Sequence, residues 1–273
     1  MKIKPIFTAA CAAALVFSAA ACQTQTASSS KADTSQLSAA DTTAAPTTVE
    51  PTTTVEPTTT APERHVEDYV ITAKEYQIDY SGAFMLTGEE AQSSETSTAR
   101  FPELLQAAPD ADAANAELHE RFDIAFDGYS NGGYVGGRTD YAASLNDNRI
   151  LSVAVESRSV DTPNSDFWVY TADVEAGKRL TRDEVAALAG TTTQDVLNEV
   201  IDDINARCDN TTFSGSLLEQ LDKVRARSLE QENLDKAEFF FDSDGVLNAT
   251  YGYYWVAGAE YYGALLKTSF TCQ

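Results

Sequence analysis

The chain has 273 residues, 43% of them hydrophobic and 10% aromatic, enough to build one large or two small cores. Its formal charge is −23, with 42 acidic residues against 19 Lys and Arg. Such a balance excludes nucleic acid as a partner, because phosphate backbones demand a basic footprint. It also disfavours anionic surfaces and favours cationic partners.

Residues 1–21 read as a secretory signal peptide. Lys2 and Lys4 give a positive start, Ile6 to Phe17 a short Ala-rich apolar stretch, and Ala19 to Ala21 the small residues of a cleavage site. Cys22 follows at once, and FSAAAC resembles the lipobox of bacterial lipoproteins. The resemblance implies that Cys22 is lipidated, palmitate included, and becomes the mature N-terminus. The protein would then be held by lipid on the extracytoplasmic face of a bacterial cell membrane.

Residues 22–64 are expected to be a disordered stalk. Between 23 and 63 there is no Phe, Tyr, Trp, Ile or Met, and TTVEPTTTVEPTTTAPE is nearly a repeat. Thr, Ser, Ala and Pro cannot bury enough apolar surface to offset the entropy of ordering. The prolines favour extended backbone, so the segment spans between about 35 Å as a coil and about 130 Å fully stretched. From residue 65 the composition changes, and 65–273 is expected to be one globular domain or two packed halves, 65–140 and 141–273. From Arg64 onward there are 16 Lys and Arg against 37 Asp and Glu, so −21 of the charge sits on this part.

In chain order, YVITAKEYQIDYSGAFML reads as strand. After RFPELLQ, an apolar face through Leu118, Phe122, Ala125 and Phe126 predicts a helix from near Asp112. Gly132, Gly133, Gly136 and Gly137 predict a loop or bulged strand rather than a phosphate loop, since no Gly-Lys-Ser/Thr ending follows. RILSVAVES and DFWVYTADV read as strands, with a turn at Gly177. Thr181 and Glu184 form a capping box for the next helix, and Gly190 is its stop. A second helix carries Leu197, Val200, Ile201, Ile204 and Cys208 on one face. A third is expected from Ser216, with Glu219 as its box partner, through Leu217, Leu221, Val224 and Leu229. AEFFFDSDGVLNATYGYYWV reads as a hairpin turning at Asp244-Gly245, and ALLKTSFTC as the last strand. The expected class is α+β, a mostly antiparallel sheet with three to four packed helices.

RFPELL, Asn115, NDNRILSVAVES, DFWVYTADVEAGKRLTRDEV and AEFFFDSDGVLNATYGYYWVAGAEYYGALLKTSF occur in that order. Together they resemble the extracellular domain-of-unknown-function family found in the anti-sigma-V factor and at the N-terminal side of some peptidoglycan deacetylases. The likeness covers roughly residues 66 to 271. It implies a fold and an envelope setting, with wall or ligand binding. Two departures limit it. Gly-Gly-Ala-His, frequent between the two central strands of that family, is replaced by ESRSVDTPNSD, and no sigma-binding segment or spanning helix is legible.

Candidate chemistry is sparse. Only His65 and His119 are present, and no HExxH or G-x-S-x-G pattern occurs. Asp242, Asp244 and Gly245 lack the remaining ligands of a calcium loop. No catalytic residue, metal or cofactor is therefore expected. Cys208 and Cys272, both on apolar faces of an exported domain, are expected to pair as a disulfide. The aromatic run Tyr251, Tyr253, Trp255 and Tyr261, with Tyr254 and Tyr262, is the candidate ligand-binding surface, because Tyr and Trp offer flat apolar faces with a polar tip. The expected function is a non-catalytic envelope lipoprotein whose acidic domain binds a protein or a cell-wall component such as peptidoglycan. The charge tilts that choice toward protein. A wall hydrolase using unidentified carboxylates, and a sensor of a cationic protein such as lysozyme, are the alternatives.

Overall fold

A computed structural model of the chain describes residues 63–79, 85–86, 96–130, 137–159, 164–211, 215–255 and 261–273. The expected signal peptide, Cys22, the expected stalk up to residue 62, and Gly132, Gly133 and Gly136 lie outside the described residues. After a 3-10 turn at Val66–Asp68 come β1 (Val70–Asp79), β2 (Thr96–Leu104), α1 (Ala111–Ser130), β3 (Gly137–Asn146), β4 (Ile150–Ser159), β5 (Ser165–Asp173) and β6 (Lys178–Arg179). Then follow α2 (Arg182–Leu188), α3 (Thr193–Asp209), α4 (Ser216–Ser228), α5 (Gln231–Leu234), β7 (Glu238–Phe241), β8 (Val246–Tyr254) and β9 (Tyr261–Thr271). The strands form three antiparallel sheets, β1-β2, β3-β4-β5-β6 and β7-β8-β9, so the fold is α+β and mostly antiparallel. No helix among the described residues is long and apolar enough to cross a membrane.

The four-stranded sheet is buried on both faces, which is why β4 and β5 are so rich in Val, Phe, Trp and Tyr. Leu151, Val153, Val155, Trp168, Tyr170 and Ala172 point one way, onto Ala114, Leu118 and Phe122 of α1 and Phe101 and Leu104 of β2. Their neighbours point the other way, where Ala154 and Val169 meet Phe240 of β7. That second face also carries hydroxyls. Ser144 donates to the Phe241 carbonyl at 2.7 Å, Thr171 donates to that of Phe239 at 3.3 Å, and Ser152 accepts from the Phe241 N–H at 3.1 Å. β7 is the edge of its own sheet, and these hydroxyls satisfy backbone groups that would otherwise be buried without partners.

The helices cover the far side of the three-stranded sheet. Val185, Ala186, Val196, Leu197, Val200 and Ile204 pack on Phe239, Phe241, Leu247, Ala249 and Tyr251. α2 begins with the expected box: the Glu184 N–H donates to Thr181, and Glu184 accepts from the Thr181 N–H at 3.0 Å. Gly177, Gly190 and Gly245 all take the positive φ that their turns require. The third helix differs from expectation. Its N-cap is Gly215, with no side-chain cap bond, so the box at Ser216 and Glu219 does not form. Leu217 and Leu218 are exposed, while Leu221 and Val224 are buried.

One further element, β2, has no counterpart in the sequence reading. RFPEL, left unassigned there, is strand, and Pro102 pairs with Thr72 where β1 and β2 shift register. The strand is tied to β3 by charge: fully buried Asp140 accepts from Arg100 Nε at 2.8 Å and from Arg138 Nη2 at 3.0 Å. Asn115 of α1 caps the same strand, its amide bonding both the N–H and the carbonyl of Leu104 at 2.9 Å.

The expected Cys208–Cys272 disulfide does not form; both thiols are free. Cys208 packs with Leu221, Val224 and Tyr254 at one end of β8. The Cys272 N–H bonds to the carbonyl of Gly245, just before the other end. The nine residues from Val246 to Tyr254 span roughly 26 Å at strand rise, while a disulfide needs Cα atoms within about 7 Å. Each thiol does face inward, as the periodicity implies, but into different parts of the core. Burial pushes both up from the usual thiol range.

Candidate functional site

The antiparallel register of β8 and β9 sets Tyr253 opposite Tyr262 and Tyr254 opposite Tyr261. Alternation then sorts the rings. Tyr251, Tyr253 and Trp255 share the helix-facing side, with centroids 6.4 Å and 6.1 Å apart along the strand, and Tyr262 joins them at 5.8 Å from Tyr253. Tyr254 and Tyr261 meet edge-on at 5.3 Å. Of the four proposed binding residues, Tyr251 is core at 4% exposure; Tyr253 and Trp255 are half-buried neighbours on one face, while Tyr261, also half-buried, lies with Tyr254 on the other.

Cations flank these rings. Arg207 of α3 stands 5.5 Å over Tyr253, Arg227 of α4 stands 3.8 Å over Tyr254, and Lys236 lies 6.0 Å from Tyr261. A cation over an aromatic face is attracted by the ring quadrupole. Arg207 Nε also donates to Asp203 at 2.8 Å and to the Tyr251 hydroxyl at 2.9 Å, and that hydroxyl donates to Asp203. Burial opposes the charge on Arg207, but Tyr251 and Asp203 hold its pKa above the usual range. Burial, followed by Asp203, likewise pushes Tyr251 up. α4 is fixed to this end because the Tyr254 N–H donates to Ser228 at 2.8 Å.

Next to the rings lies a cleft of about 390 Å³, within the size range of small-molecule sites. It opens where α1, β5, β7, β8 and β9 meet, and Tyr261 and Gly252 belong to both the cleft and the aromatic cluster. Arg121 of α1 forks onto Asp166 of β5, with Nη2 to Oδ1 at 2.8 Å, and its Nη1 is 3.8 Å from Glu238 of β7. Lys236 completes the polar wall. Burial raises the Glu238 pKa to about 7; Arg121 opposes the shift and Asp166 reinforces it. Two glycines give the cleft its depth. A Cβ on Gly252 would lie 1.8 Å from the Tyr261 ring, and one on Gly263 would lie 2.0 Å from the Ser165 carbonyl.

Arg121, Asp166, Lys236 and Glu238 were not legible as site residues. In a chain with 42 acids, no spacing marks Asp166 or Glu238 out, and their meeting depends on a long-range fold. The remaining candidates have structural places. His119 lies against Phe101, with ring centroids 5.6 Å apart. Asp242 sits in the hairpin turn, accepting from the N–H groups of Asp244 and Val246, with the Lys267 ammonium 3.0 Å away. A second cleft, of about 420 Å³, is lined by Met85, Ala142, Phe240, Phe241 and Leu265, with one ion pair, Lys267 and Asp242. No His, Cys, Asp or Glu group among the described residues could hold a metal ion.

No family model matches the chain, and no curated protein matches it.

Proposed function

We propose that this chain is a non-catalytic, lipid-anchored protein of the bacterial cell envelope, and that its domain binds a cell-wall component at the open end of β8 and β9. One observation carries the reading: Tyr253, Tyr254, Trp255, Tyr261 and Tyr262 gather, half-buried, at one strand end beside a polar cleft. Core aromatics in this fold are exposed by only a few per cent, as Phe239, Phe241 and Trp168 are. Rings left half-covered in a group offer large contact area at small entropic cost, as binding surfaces do.

Local charge favours a wall component over a basic protein. The molecule is strongly acidic, but the aromatic end carries Arg207 on Asp203, Arg121 on Asp166, Arg227 over Tyr254 and Lys236 near Tyr261. A cationic partner would be steered to the acidic surface elsewhere and would meet arginines here. The test is a pull-down with purified peptidoglycan and, separately, with lysozyme, at low and high salt. The expected result is retention on peptidoglycan at both salts, lost in Trp255→Ala and Tyr253→Ala. Retention by lysozyme alone, disappearing at high salt, would replace this reading with that of a cationic-protein sensor.

A further inference from the structure

We propose that the cleft between Arg121, Asp166, Glu238 and Tyr261 seats one uncharged sugar ring of a polysaccharide. The inference rests on the wall-binding reading and adds the ligand class and the residues that hold it. Four features point to this ligand. Once Glu238 ionises, above about pH 7, the cleft is charge-balanced inside an acidic protein, with two cations, Arg121 and Lys236, and two carboxylates, Asp166 and Glu238. A charged ligand would leave one of these groups facing a like charge, whereas a neutral polyol leaves the balance intact.

The groups also match sugar edges. Carboxylates accept from hydroxyls in pairs, and Arg and Lys donate to ring and hydroxyl oxygens. Glu238 is suited to this role. Its nearest cation is Arg121 at 3.8 Å, beyond hydrogen-bond distance, while Arg121 makes its short bonds to Asp166. The half-exposed Glu238 carboxyl therefore keeps acceptor capacity toward the cleft.

The third feature is the aromatic wall. Tyr261 lies across Gly252, where a Cβ would collide with its ring at 1.8 Å, so the missing side chain sets the ring's position. Lys236 approaches that ring on a long, 54% exposed side chain, which moves aside or bonds the rim of an entering ligand. Finally, Gly263 lets the β9 backbone approach β5 at Ser165, fixing Asp166 relative to Tyr261. The two walls are thus placed by backbone contact and not by flexible side chains.

Calorimetric titration of the purified chain tests the assignment with three probes: N-acetylated chitotriose (neutral), its fully deacetylated form (cationic) and trigalacturonate (anionic). The neutral probe is expected to bind, with affinity unchanged between low and high salt. Glu238→Gln and Gly252→Ala should each weaken it about tenfold, while Glu175→Gln, exposed just past the end of β5 and away from the cleft, should leave it within about twofold. If Gly252→Ala misfolds by circular dichroism, the near-isosteric Glu238→Gln carries the test. Preference for either charged probe, or neutral binding indifferent to Glu238→Gln, overturns the proposal. Should chitotriose fail to bind while peptidoglycan retention remains Trp255-dependent, the cleft assignment falls and the wall-binding reading stands. Loss of both removes both.

Discussion

Glu238 concentrates the tension of the site in one residue. Its carboxyl shares Arg121 with Asp166, and burial raises its pKa to about 7, above the ordinary carboxylate value of 4.5. The folded state therefore holds a proton that the unfolded state has released between about pH 4.5 and 7. Stability from this group is full below that window and is lost as pH rises through 7. Arg121, Glu117, Asp166 and Arg179 are the charged groups facing it. Glu238→Gln should thus be more stable than the parent at pH 8, by about 1 kcal/mol after allowing for solvent screening of a half-exposed group, and equal to it at pH 4. Urea unfolding at the two pH values checks this, and a gain at both would mean that the charge is irrelevant. The neighbouring glycines respond differently. A Cβ at Gly263 meets the Ser165 backbone, which cannot swing aside, so Gly263→Ala should cost about 3 kcal/mol. At Gly252 the obstacle is the Tyr261 side chain, so Gly252→Ala should cost about 1 kcal/mol and displace the ring. The aromatic half of the site was legible because ring-bearing residues crowd into one short run. The polar half was not, because Arg121, Asp166 and Glu238 come from three distant segments and nothing local distinguishes them.

Among the elements, local chemistry was readable and long-range pairing was not. The capping box of α2 lies within four residues, Thr181 to Glu184, so sequence alone determines it. Thr181→Ala should cost about 1 kcal/mol, measured by chemical unfolding; a neutral result would show that tertiary packing alone holds the helix. β2 escaped notice because Pro102 removes a strand donor, and only its seat beside the irregularity in β1 makes it tolerable. The disulfide failed for a similar reason. Periodicity shows that a side chain faces inward, but not which part of a long core it enters. β7 shows a further limit: its edge is satisfied by Ser144, Ser152 and Thr171, hydroxyls that read as solvent-facing in a strand. Asp140 supports the β2–β3 junction with two arginines, and Asp140→Ala should destabilise by about 4 kcal/mol by removing the carboxylate that faces the buried Arg138 guanidinium. Asp140→Ala no worse than an exposed Asp→Ala change would show the cluster to be ornamental.

Across the whole molecule, acidity and local neutrality coexist. A net charge of −23 resists association with polyanions and strains the folded state by self-repulsion, so moderate salt should raise its midpoint of unfolding. With both cysteines free in separate parts of the core, adding reductant should leave that midpoint unchanged; a fall of several degrees would restore the disulfide. The aromatic end is where acidity is answered by arginine and lysine, and there the account places the wall. Hydrogen exchange of the purified chain with and without soluble peptidoglycan fragments tests that placement most directly. The account predicts slowed exchange at residues 252–255, 261–263 and 236–238, with the hairpin turn at 242–246 unchanged. Protection confined to the turn, or to the second cleft around Ala142 and Leu265, would contradict it.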